Sequence, residues 1–438
     1  MKHTRRLGAA AVVALLVTAG ALTGCRGADN GGGGGGGDIK TDVGVTSQPC
    51  PQAKDRTKGC IYLGTISDLT VGPFAPLAVP ITNSQKAFWQ RVNDNGGIGG
   101  YEIDVTSYVK DNKYNPQTHN EVYQEIKGKV LALAQTLGSP TTAAIIGDLK
   151  ANSIVAVPAS WTSAWAFEDV ILESGANYCV ESMNAVDYAV GAFAPKSVMA
   201  VHYDGDYGGD AAAGAKYAAD KLGLKFTDVK TDPGQDKQAG AIAQILGAKP
   251  DLIILTTAPT EAAVIVASVA AQARAAGYTP HFIGTSPTFN PALNASPAAP
   301  ALQAYYLVTG PWLPWAADTP GHQALRKALG TPKPLSDGYT AGWVWSYPLK
   351  AALEKAAQDK DLTRAGLLKA AKSLQSVDYE GMLPAGSGNY AGGPDAGLVR
   401  LSTVSKPDPA QPTGVATVQE LKAGPTAQSF KLEKPCWP

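Results

Sequence analysis

Residues 83–108 read NSQKAFWQRVNDNGGIGGYEIDVTSY, and the fold turns on how this stretch is parsed. Ala87, Phe88 and Val92 fall at helical spacing, which predicts a helix over residues 83–93. Gly96, Gly97, Gly99 and Gly100 then break the pattern, and a β-rich run follows over residues 103–108. Helix, glycine turn and strand make up the repeating unit of an α/β protein.

Working outward, the same alternation fills the chain. Short β-rich runs recur at 61–67, 130–136, 154–158, 198–203, 226–230, 252–256, 281–284 and 305–309, with Ala-rich helical patterns between most of them, including 210–222, 237–246 and 261–276. Such alternation predicts parallel sheets with helices on both faces. One doubly wound sheet rarely holds this many strands, so two successive α/β lobes are the more economical assignment. Folds of this kind bind ligands beyond the carboxyl ends of their strands, and the loops there are where chemistry is to be sought.

Composition narrows the function. The 438 residues carry 37 Lys plus Arg against 37 Asp plus Glu, and the charged fraction is only 17%. That balance gives no electrostatic support to nucleic-acid binding. An apolar fraction of 45% excludes general disorder.

The first residues read as an export signal. Lys2, Arg5 and Arg6 precede an apolar run over 9–22, about 14 residues long. This is shorter than the roughly 20 residues that span a bilayer. It ends in Leu22-Thr23-Gly24-Cys25, which resembles a bacterial lipobox and implies cleavage before Cys25 and lipidation of its thiol. Removing residues 1–24 takes away three cations, leaving 34 against 37 and a mildly acidic chain. Seven glycines, Gly31 to Gly37, and a polar stretch to residue 58 predict a tether over 25–58. Its root-mean-square reach is roughly 30 Å.

Outside the cell, Cys50, Cys60, Cys179 and Cys436 favour two disulfides. Three connectivities are possible; closing a ten-residue loop makes Cys50 with Cys60 the easiest local pair, which leaves Cys179 with Cys436. Metal ligation has little to build on, because there is no CxxC pair and His3, His119, His202, His281 and His322 are scattered. No cofactor is expected.

A family resemblance now has its residues. Val92-Asn93-Asp94-Asn95-Gly96-Gly97-Ile98-Gly99-Gly100 resembles the N-x-x-GGI-x-G turn of type I periplasmic binding proteins, the branched-chain amino acid receptor group of ABC importers. Asp111 with Asn115-Pro116 is similar to that family's D-x-x-x-x-P continuation. Leu63-Gly64 and Leu69-Thr70-Val71-Gly72-Pro73 resemble its opening strand and P-L-T-G-P loop, with Asp68 where Pro is usual. Asp206-Tyr207-Gly208 after 198–203 resembles the Y-G helix entry of the second lobe.

The likeness extends from about residue 59 to 400. It implies two doubly wound parallel-sheet lobes joined by a three-crossover hinge: 59–189 with 313–378, and 190–312 with 379–438. It also implies a substrate-binding lipoprotein held by Cys25 on the outer face of a bacterial membrane. There it captures an amino acid or related small carboxylate or amide for an ABC permease and ATPase. A ligand-sensing receptor without transport is the second reading, and a secreted hydrolase the third.

Three loops supply site candidates. Ser139, Thr141 and Thr142 open an apparent helix after the strand at 130–136, where hydroxyls and free N–H groups suit a carboxylate. Ser160, Trp161 and Thr162 follow the strand at 154–158 and suit a ligand with a polar head and an apolar body. Tyr207 is carried over from the Y-G motif as a ring closing over the ligand. Trp343 and Trp345 read as core aromatics at helical spacing.

In the resembled receptors an acidic side chain of the second lobe meets the ligand's ammonium group, and this register places Gln235 there, with Asp232 and Asp236 beside it. Either an Asp replaces it, or the ligand is an amide, a carboxylic acid or a masked amino acid. No G-x-S-x-G, H-E-x-x-H or P-loop motif points to catalysis.

Overall fold

Asn93 stitches the first helix to the strand that follows. Its carboxamide accepts the Ile103 N–H at 2.8 Å and donates to the Ile103 carbonyl at 2.9 Å. The four turn glycines all have φ between 60° and 103°. At Gly97 a Cβ would lie 2.0 Å from the Tyr101 carbonyl oxygen, so only glycine fits. The helix itself, Ala75–Asp94, starts well before residue 83, and Pro80 within it obscured that start. Asp68 supplies the entry: its carboxylate accepts the N–H groups of Gly72 and Phe74, each at 3.0 Å.

The computed structural model describes residues 39–437. The signal over 1–24, Cys25 and the glycine run lie outside the described residues. No helix among the described residues is long and apolar enough to cross a membrane.

The first sheet is centred on Gly59–Ser67, which pairs in parallel with Tyr101–Asp104 and Val109–Asp111 on one side and Ala132–Leu137 on the other, followed by Ala156–Ala159. The strand predicted over 103–108 is thus two short strands. The second sheet runs in the order Lys225–Thr231, Ser197–Tyr203, Leu252–Thr256, His281–Gly284, Tyr306–Gly310, all parallel. Ser402–Pro407 and Val415–Lys422 extend it antiparallel. Numbered within each lobe, the parallel strands follow the order 2-1-3-4 in the first and 2-1-3-4-5 in the second, the doubly wound pattern. All residues of Ala132–Leu137 and Leu252–Thr256 are buried, as strands covered on both faces must be.

The chain passes from the first lobe to the second before helix Tyr178–Phe193, returns after Tyr306–Gly310, and crosses again before Ser402–Pro407. Helix Tyr178–Phe193 packs on Asp206–Leu222 and the second sheet, so its first part, expected with the first lobe, sits in the second lobe's core. Tyr379, Met382 and Leu383, expected with the second lobe, pack into the first. Arg91 on the first helix holds that segment through a two-pronged pair with Glu380, at 3.0 and 2.9 Å.

Residues 39–58, expected to be tether, are docked instead. Lys40–Thr41 pairs in parallel with Asp361–Leu362, and Val45–Thr46 pairs antiparallel to Gly59–Ser67. Strand pairs this short carry no periodicity to read. Both disulfides form as the cysteine spacing suggested, Cys50–Cys60 and Cys179–Cys436.

Candidate functional site

The loops after the strands of both sheets line one cleft. Ser139 follows Ala132–Leu137, Trp161 follows Ala156–Ala159, Tyr207 follows Ser197–Tyr203, and Ser286 and Phe289 follow His281–Gly284. Trp312 from the second crossing, and Asp337 and Trp345 around the start of helix Gly338–Gln358, complete the wall. The cleft holds about 1090 Å³, part of it open to solvent. Phe74 with Ser139, and Tyr207 on the other lobe, lie by the reversal of strand order in each sheet, where doubly wound folds place ligands.

Aromatic rings form a continuous wall across both lobes. Trp161 meets Trp345 at 4.5 Å between centroids, Trp312 at 5.2 Å and Tyr178 at 5.7 Å. Tyr178 meets Tyr207 at 4.7 Å, and Phe74 meets Tyr114 at 4.7 Å. Gly138, at φ 95°, lets Tyr114 approach, because a Cβ there would lie 2.7 Å from the Tyr114 ring.

Among the described residues, three buried side-chain polar atoms of the cleft lining have no hydrogen-bond partner within the protein: Ser139 Oγ, Ser336 Oγ and Trp345 Nε1. Each is able to donate, and a buried donor left unmatched costs about 1–3 kcal/mol. A ligand rich in acceptors would relieve that cost.

Among the described residues, no Lys or Arg lines the cleft, and Asp337 is its single charged side chain. Burial pushes the Asp337 carboxyl up to about 6, against the Trp315 N–H that it accepts at 3.3 Å. Behind Ser286, whose hydroxyl donates to it, burial pushes Glu181 up to about 7. None of the described histidines lines the cleft.

Of the residues singled out from sequence, Ser139, Trp161 and Tyr207 reach the cleft wall. Trp161 donates its indole N–H to the Ser174 carbonyl at 3.1 Å, and Tyr207 its hydroxyl to the Thr257 carbonyl at 3.2 Å. The others turn away. Thr141 spends its hydroxyl on the Leu137 and Gly138 carbonyls, Thr142 bonds Thr136, and Ser160 accepts the Trp165 indole N–H at 3.0 Å. Thr162 is buried without lining the cleft.

Gln235, Asp232 and Asp236 are exposed and away from the cleft. Their loop is turned outward by Gln238, the buried amide, which donates to the Asp232 and Gly234 carbonyls at 2.9 and 2.7 Å. Trp343 is core, as read, but Trp345 is both buried and part of the cleft wall. Sequence reading missed Phe74, which closes the loop after the first strand, where position alone would have flagged it. It also missed Trp312, Ser336 and Asp337, which no local signal marks.

Two α/β lobes joined by three chain crossings around an apolar cleft define a protein of the two-lobed ligand-binding class. A model of the periplasmic binding protein family matches residues 61–400, and the chain belongs to that family. A fatty acid ABC transporter substrate-binding protein from Thermomonospora curvata is similar at 30% identity and a TM-score of 0.80, covering 91% of this chain and 98% of that one. A branched-chain amino acid ABC transporter protein from Thermus thermophilus with bound valine shares the fold at 16% identity and a TM-score of 0.70, covering 85% and 98%. So does a leucine binding protein from Thermotoga maritima, at 15% identity and a TM-score of 0.66, covering 83% and 98%. No curated protein sequence matches the chain.

Proposed function

We propose that this protein is the substrate-binding component of an ABC importer, anchored through a lipidated Cys25, and that it captures a carboxylate with a long apolar body, of the fatty acid class. The observation that carries the reading is the pairing of unmatched donors, led by Ser139 Oγ, with an otherwise aromatic and aliphatic wall. A carboxylate is an acceptor-only head, and its hydrogen bonds are of the stronger, charge-assisted kind. The named ligand class of the relative at 30% identity agrees. The family and the relatives it shares a fold with are binding proteins, which supports binding without chemistry.

Asp337 favours a second reading. A free amino acid would set its ammonium group against this carboxylate, as a dehydrated cation requires. Calorimetry on delipidated protein decides between the two. Hexadecanoate binding in preference to leucine and valine is expected. Tight leucine or valine binding that Asp337→Asn abolishes would replace the fatty acid reading with the second. Cys25→Ala should release the body from the membrane fraction, and its retention there after a salt wash would overturn the anchor.

A further inference from the structure

We propose that the antiparallel pair Ser402–Pro407 and Val415–Lys422 forms the far end of the cleft and sets the longest acyl chain the protein accepts, an inference that rests on the fatty acid reading above. The two ends of the cleft are defined by the second sheet. Helix Ser139–Ala143, which presents Ser139, packs against helix Asp206–Leu222, so the head end lies by strand Ser197–Tyr203. From that strand the order runs through Leu252–Thr256, His281–Gly284, Tyr306–Gly310 and Ser402–Pro407 to Val415–Lys422.

Five neighbour-to-neighbour steps at 4.7–4.9 Å place the last strand about 24 Å from the first. A single amino acid residue spans roughly 3.5 Å of extended chain. The cleft wall includes residues at both extremes, Tyr207 and Val415, which suits an extended ligand and is far more than a free amino acid needs.

The far end is also built to stay put. Asn294 donates to the Gly414 carbonyl at 2.8 Å, fastening the turn between the two strands to the loop that carries Pro291. Thr403 commits its hydroxyl to the Gly310 carbonyl at 3.3 Å, and Val415, Pro291 and Leu77 supply apolar surface.

The test is calorimetry of a saturated acid series, hexanoate to octadecanoate, on delipidated wild-type protein and on Val415→Trp. Octanoate should bind both alike, whereas octadecanoate should bind the variant about tenfold or more weakly, because the added indole displaces buried methylenes. An equal loss for every chain length, or no loss, overturns the inference while leaving the fatty acid reading intact. If no acid binds the wild type, both fall. A second measurement needs no variant: an acid carrying a diazirine at its terminal carbon should, on irradiation, label the peptide spanning 403–415 in the wild type. Labelling confined to residues 74–139 would place the tail elsewhere and overturn the proposal.

Discussion

The ring of Phe74 in the first lobe stands edge-on to the ring of Tyr207 in the second, 6.0 Å between centroids at 86°. Two side chains that follow the first strand of their own lobes thereby meet across the cleft.

This contact predicts a ring-dependent affinity. Tyr207→Ala should weaken ligand binding about tenfold or more, since an edge-on aromatic pair contributes about 0.5–1.5 kcal/mol beyond its buried area. Tyr207→Phe, which keeps the ring and gives up the hydroxyl with its bond to the Thr257 carbonyl, should change affinity much less. Equal losses in both variants by titration calorimetry would shift the role from the ring to the hydroxyl.

Ser139→Ala should weaken a carboxylate ligand by about 1.5–3 kcal/mol, the range for hydrogen bonds to charged groups. The matching fatty alcohol should hardly notice the change. Thermal unfolding without ligand should be unaltered or slightly improved, because the hydroxyl has no partner to lose. Competition binding with the acid and alcohol pair reads the difference directly.

Glu181 gives a pH dependence with a fixed sign. Its folded carboxyl lies at about 7 against an ordinary value of 4.5, so the unfolded chain releases this proton first as pH rises. Stability therefore falls between about pH 4.5 and 7, by up to about 3 kcal/mol. His119, held neutral by burial down to about 3, acts oppositely and costs stability as pH falls below 6.5. Urea unfolding of wild type and Glu181→Gln across this range isolates the carboxyl. The variant's advantage should grow with pH, and a flat difference would refute the assignment.

The cores of both lobes were legible because their strands are buried on both faces and read as unbroken apolar runs, as at Leu252–Thr256. The turn after Asn93 was legible because glycine takes its positive φ angles far more readily than other residues, and at Gly97 no Cβ fits. Ser402–Pro407 and Val415–Lys422 escaped notice because STVSKP and VATVQELK hold neither an unbroken apolar run nor a strict alternation. Ser139 and Trp161 were singled out by their position after strands, and Tyr207 through the resemblance of its segment to the Y-G motif. Gln235 was misplaced because register alone cannot say which residue of a loop is buried, and there it is Gln238.

Asp210 joins three segments. Its carboxylate accepts the N–H groups of Ser163 and Cys179, each at 3.1 Å, and the Ser163 hydroxyl. Asp210→Ala should lower unfolding stability by about 3 kcal/mol or more, because several buried donors lose their acceptor together. Asp210→Asn should lose less. The Ser163 hydroxyl also accepts the Cys436 N–H at 2.8 Å, so the alanine variant should raise amide exchange around residue 436. Unchanged protection there would uncouple the tail from this centre.

The docking of residues 40–46 bears on how force travels through the molecule. The chain enters the folded body along Lys40–Thr41 and Val45–Thr46, and the Cys50–Cys60 disulfide rivets it to Gly59–Ser67. Every one of these attachments is to the first lobe. A pull applied from the amino-terminal side is therefore borne by the first sheet and does not pass through the chain crossings, so the second lobe is left as the unloaded arm of the lever.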